Sequence, residues 1–169
     1  MKLSTKGRYA VMAMVDLAST QTSTPVALAD IAGRQEISLS YLEQLFSKLR
    51  RGGLVNSVRG PGGGYMVAHQ PKDIRISDII LAVDEPIKAT RCQPGSPAGC
   101  HGTLGRCVTH DLWQELGNQI YLFLNSVSLE DVINKRVLGA SGSLFFNDNP
   151  CAAMCAPSAV DDHALNAAQ

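Results

Sequence analysis

The chain has no long hydrophobic run, no nucleotide-binding loop signature and no net charge, with 15 Lys/Arg set against 15 Asp/Glu over 169 residues. Each absence removes a class of function. No apolar stretch approaches the roughly 18 residues of a membrane span. The start, MKLSTKGRYAVMAMVDLAST, has the basic and apolar parts of a weak secretory leader. However, Gly7 and Tyr9 open an amphipathic pattern, Asp16 interrupts it, and no convincing cleavage site follows. The expectation is a cytoplasmic protein, in which cysteines stay reduced and a cluster of them points to metal or redox chemistry rather than to disulfides. What is present is a hydrophobic content of 45%, enough for the core of one ordinary domain with an appended tail.

The zero net charge hides a split. Residues 1–65 hold eight Lys/Arg and four Asp/Glu, a surplus of four positive charges, and the remainder carries the matching four negative ones. Chance asymmetry on a solvated surface explains this as well as a polyanion that meets only the first half. The elements narrow the choice. Thr5 can cap a helix in which Ala10, Val11, Met14, Val15, Leu17 and Ala18 recur at helical spacing. A short second helix carries Leu28, Ile31 and Ala32. A third begins at Ser40, where Ser40-x-x-Glu43 fits a capping box, shows Leu42, Leu45, Phe46 and Leu49 on one face, and stops at Gly52-Gly53. Two such helices across a short turn form a helix-turn-helix. Leu54–Arg59 and Tyr65–Val67 then read as strands around the tip Gly60-Pro61-Gly62-Gly63-Gly64, a hairpin "wing".

The fold expected is mainly α with a small β-hairpin wing: a winged helix-turn-helix domain over 1–86, a cysteine-bearing loop over 87–110, and a long helical region over 111–138. The helix stripe of Leu112, Leu116, Ile120, Phe123, Leu124 and Val127 must bury against something. A second copy of the chain is the economical partner, and the N-terminal domain is another. Residues 139–169, which include Cys151 and Cys155, have no periodicity and are expected to be disordered.

The third helix would offer Ser40, Tyr41, Glu43, Gln44 and Lys48 to a DNA major groove. There Gln44 can pair with adenine and Glu43 can accept a hydrogen bond from cytosine N4. Closing the capping box explains Glu43 equally well, and both roles are compatible. Arg59 at the wing tip suits a narrow minor groove, and Gly60, Pro61 and Gly62 let the backbone approach closely. Arg50 and Lys48 are candidates for phosphate contacts. Two recognition helices related by a two-fold axis would read a pseudo-palindromic operator of double-stranded DNA.

The segment RCQPGSPAGCHGTLGRCVTH is too polar and flexible to bury its own Cys92, Cys100, Cys107 and His110. An iron–sulfur cluster explains it, and so does a structural Cys3His zinc site. Zinc sites show tight cysteine pairs, whereas only Cys107-x-x-His110 is close here. A Cys107/His110 catalytic pair lacks any third group.

LSTKGRYAVMAMVDLA, LADIAGRQEISLSYLEQLFSKLRRGGLV and SVRGPGGGY closely resemble a family of winged-helix repressors that control iron–sulfur cluster assembly, and AVDE with the RC…C…C-x-x-H segment strengthens the likeness. The similarity runs from Met1 to about Lys135. It implies a homodimeric transcription factor with one 2Fe–2S cluster per subunit, held by Cys92, Cys100, Cys107 and His110. Occupancy would switch promoter choice, and the loaded form would repress the cluster-assembly operon including its own gene. In the resemblance Glu43 is tied to operator discrimination and Arg59 to DNA contact. The chain departs from the family's even spacing, with seven and six residues between successive cysteines, and His101 stands beside Cys100 as a competing ligand. Added residues in such a loop cost little closure entropy. The alternative is a zinc-stabilised winged-helix repressor without sensing.

Overall fold

The first helix, α1 (Thr5–Thr20), buries Ala10, Ala13, Met14 and Leu17 completely, a stripe set by the three-to-four-residue spacing of small and long apolar side chains. The computed structural model describes residues 4–20, 24–90, 100 and 105–137. The expectations for Cys92, His101 and the tail from residue 139 lie outside them. Residues up to Arg136 form one compact unit. No helix among the described residues is long and apolar enough to cross a membrane.

Ser4, not Thr5, caps α1. Its Oγ accepts the Lys6 N–H at 3.2 Å while its own hydroxyl donates to Glu85 at 2.6 Å. The helix-turn-helix follows as α2 (Leu28–Gln35) and α3 (Leu39–Arg51). Glu36 makes the turn with a left-handed backbone (φ 53°), and buried Ile37 donates its N–H to the Ala32 carbonyl. Leu42, Leu45, Phe46 and Leu49 put the inner face of α3 into the core, as the spacing predicts.

The predicted capping box on α3 is not formed. Ser38 occupies the cap, without a side-chain bond, and its carbonyl receives the N–H groups of Tyr41 and Leu42 at 3.1 Å. Ser40 therefore lies inside the first turn. Moving the cap by two residues, from Ser40 to Ser38, removes the partner that the capping reading of Glu43 required.

β1 (Val55–Val58) and β2 (Gly64–Val67) pair antiparallel, Val55 opposite Val67 and Val58 opposite Gly64. The wing has a further contact that the sequence pattern does not announce. Val26, before α2, exchanges two backbone hydrogen bonds with Tyr65 at 2.9 and 2.8 Å. Tyr65 sets its ring edge-on to Phe46 with centroids 5.0 Å apart, so wing and α3 share one packing unit.

After a 3-10 turn (Pro71–Asp73) come α4 (Ile76–Ala82), α5 (His110–Ser126) and α6 (Leu129–Ile133). A true capping box starts α6, where Ser128 and Asp131 exchange hydrogen bonds. The end of α5 is stitched to the domain: Ile76 donates to Val127 O at 3.1 Å, Leu129 donates to Ile74 O at 2.8 Å, and Ser77 Oγ donates to Asn125 Oδ1 at 3.1 Å. Leu124 and Val127 pack on the core, while Leu112, Trp113, Leu116, Leu122 and Phe123 remain exposed.

Asp16, read as an interruption of α1, is buried and fully engaged. Arg34 donates to both of its carboxylate oxygens and Gln35 donates at 2.7 Å. Burial pushes the Asp16 carboxyl up, but the Arg34 and Gln35 hydrogen bonds outweigh it and hold it below the usual carboxylate range. The pair joins α1 to α2 across the back of the helix-turn-helix.

Candidate DNA-reading surface and cysteine-lined cleft

The outer face of α3 presents Ser40, Glu43, Gln44, Ser47 and Arg51 to solvent around one shallow depression, with half-buried Lys48 at its end. Glu43 and Gln44 make no hydrogen bond or ion pair to the described residues, so their polar atoms are available to base edges. Tyr41 belongs to the packing instead. It is half-buried, and its ring meets that of Tyr9 edge-on at 6.1 Å. Arg50 donates to Ser57 Oγ on β1 at 3.3 Å, a link between helix and wing. Arg59, Gly60, Pro61 and Gly62 form the exposed tip. Gly60 (φ 109°) and Gly62 (φ 73°) need the left-handed backbone that makes the turn, which closes with Gly63 N–H donating to Gly60 O at 2.9 Å.

Lys48 is already engaged. Its ammonium lies 2.8 Å from Asp84, and this hydrogen bond holds Lys48 above and Asp84 below their usual ranges. Lys6 donates to the Asp84 carbonyl at 3.2 Å, and the next residue, Glu85, accepts from Ser4. Thus the segment that leaves α4 fastens the N-terminus and the recognition helix together before it runs on. Asp84→Asn should raise affinity for any DNA sequence and steepen its salt dependence by about one counterion per subunit, because the lysine is released to a phosphate. Fluorescence anisotropy over a salt series checks this, and an unchanged slope refutes it.

Residues 88–89 then cross α5 at buried Gly117, where a Cβ would stand 3.2 Å from the Ala89 nitrogen. Beyond the crossing, Ala89, Thr90, Cys100, Cys107, His110, Trp113 and Leu116 line a cleft of about 380 Å³. His110 is the first residue of α5 rather than the last of the loop, which fixes its backbone, and its side chain is buried. Its Nδ1 lies 3.1 Å from Cys100 Sγ and its Nε2 lies 3.0 Å from Gln114 Oε1. Cys107 Sγ is 3.6 Å from Thr109 Oγ1, which also accepts the Trp113 indole N–H at 3.2 Å. A thiolate at Cys107 would receive the Thr109 proton.

Of the four predicted ligands, Cys100 and His110 are in contact and Cys107 lines the same cleft. Among the described residues no group of three or more His, Cys, Asp or Glu side chains is close enough to hold a metal, and the fourth ligand, Cys92, lies outside them. Gln114, Thr109, Asp84 and Val26 were not found by sequence reasoning. Only Gln114 left a signal, four residues after His110 on one helix.

A helix-turn-helix with a hairpin wing, an open polar face on its second helix and a cysteine- and histidine-lined cleft against a long helix defines a winged-helix DNA-binding regulator. The sequence matches the profile of the Rrf2 family, described as an iron-dependent transcriptional regulator, over residues 3–135, and the chain belongs to that family. It is 49% identical to the HTH-type transcriptional regulator IscR of Salmonella agona (strain SL483) over 162 residues, 95% of this chain and 97% of the relative. Among solved structures it is similar to T. potens IscR (37% identity, TM-score 0.64, covering 86% of this chain and 97% of the other). It is also similar to CymR, the global cysteine regulator of B. subtilis (35% identity, TM-score 0.65, covering 80% and 98%). The chain is a transcriptional regulator, not an enzyme.

Proposed function

We propose that this regulator is a cytoplasmic homodimer that binds one 2Fe–2S cluster per subunit through Cys92, Cys100, Cys107 and His110, and that occupancy decides which operators it silences, those of the cluster-assembly genes and its own among them. One observation carries the reading: Cys100 Sγ and His110 Nδ1 stand 3.1 Å apart in a cleft that Cys107 also lines. Thiolates with one imidazole are a donor set suited to iron–sulfur chemistry, and the imidazole lowers the negative charge on the site. When bound, the cluster supplies a centre whose presence depends on iron supply and oxidation.

The protein's own residues supply the coupling. Ligation at Cys100, Cys107 and His110 acts on the adjoining residues 84–90, and Asp84 passes that bias to Lys48 on the recognition helix while Glu85 passes it to the start of α1. A difference of about 1–3 kcal/mol in operator affinity, ordinary for coupled sites, is enough to change promoter choice. Glu43 then sharpens the choice, since a carboxylate beside phosphates is repelled unless a base donor receives it.

Anoxic purification tests the reading. The expected product is coloured and contains about two iron and two sulfide per chain, the 2Fe–2S composition. Cys107→Ala should be colourless, and footprints should differ between loaded and cluster-free protein. A colourless wild-type chain with stoichiometric zinc would establish the zinc-stabilised repressor instead.

A further inference from the structure

His110 and Gln114 are one helical turn apart on α5, so their side chains lie one above the other on the same face. The His110 ring is buried, and bulk water does not choose its tautomer. Its two nitrogens face different partners, Nε2 the Gln114 carboxamide oxygen at 3.0 Å and Nδ1 the sulfur of Cys100 at 3.1 Å. A carboxamide oxygen has no proton to give, so its pairing with Nε2 calls for a hydrogen on that nitrogen. In a neutral imidazole the lone pair is then on Nδ1, on the side of the thiols.

We propose that Gln114 is a positioning residue for His110: its side-chain oxygen takes the Nε2–H and presents Nδ1 as the ligating nitrogen. This rests on the reading of His110 as a cluster ligand and adds to it the group that selects the nitrogen and fixes the ring plane. Outer-sphere acceptors of this kind raise the basicity of the ligand and commonly matter by 10–100-fold in metal retention. Gln114 itself is exposed, so its replacement leaves the helix intact.

The test uses full-length, reduced, metal-free protein labelled with nitrogen-15, at a pH where the ring is neutral. Long-range proton–nitrogen correlation should show His110 protonated at Nε2. Gln114→Leu should move the ring to a mixture of tautomers, and Gln114→Glu, which keeps an oxygen acceptor, should restore the wild-type pattern. In loaded protein, cluster loss to a chelator should be about tenfold faster for Gln114→Leu and near wild-type for Gln114→Glu. A wild-type ring protonated at Nδ1, or identical tautomers and equal loss rates in wild type and Gln114→Leu, overturns the proposal. Failure of the ligand reading looks different, because wild type and variants would then all come from anoxic cells without iron or sulfide.

Discussion

Gly64→Ala is expected to lower stability by about 2–4 kcal/mol, the range of a backbone clash inside a packed element, and to abolish operator binding. A Cβ at this position would fall on the Val26 carbonyl. The strand segment before α2 would have to move away, and both hydrogen bonds between Val26 and Tyr65 would go with it. Tyr65 holds the wing against Phe46, which is wholly buried beneath the reading face of α3. The damage therefore reaches both DNA-contacting parts together. Gly62→Ala is the control: its backbone is left-handed, but a Cβ meets open space, so the cost is about 1–2 kcal/mol and stays at the tip. Urea denaturation and anisotropy on one operator check both variants. A Gly64→Ala protein with the wild-type midpoint would show that the strand can shift without loss.

The second large effect is expected on α5. Leu112 (63% exposed) and Phe123 (55% exposed) lie on the outer side of the helix, while Leu124 and Val127 pack inward. Covering such side chains stabilises by roughly 1.5–3 kcal/mol each, so a two-fold helix pair that buries several of them from each chain is held firmly. Leu112→Asp with Phe123→Asp should sediment as a monomer. It should lose affinity for a full palindrome at least about a hundredfold, since joined half-sites give avidity of that order or more. Binding to a single half-site, and the urea midpoint of the monomer, should persist because neither residue faces the core. A double variant that remains a dimer would place the interface elsewhere.

Much of this architecture is legible locally. The apolar spacing of α1 and α3, the glycine-rich tip and the shared helix-turn-helix motif all act within a few residues. The capping box failed for a local reason: Ser38 and Ser40 both precede the apolar face, and the turn at Glu36–Ile37, not the side-chain chemistry, selects the first. Long-range pairings were not legible. Val26 and Tyr65, or Lys48 and Asp84, are ordinary residues whose meeting depends on how the finished helices cross. Asp16 was misread for the same reason, as a polar break rather than a buried partner of Arg34. In the cleft, residue type and loop composition named the ligand candidates and the four-residue spacing hinted at Gln114, whereas the glycine that admits residues 88–89 shows only in the folded chain.

The stitching of α5 to the domain has a mechanical consequence. Main-chain bonds on either side of Ser128 leave no slack between the long helix and the body that holds the wing. In a dimer built on α5, any change in the angle at which the two helices cross swings each reading head as a rigid lever. Operator spacing is then set at the far end of the molecule from the bases, by the crossing of two helices that never touch DNA.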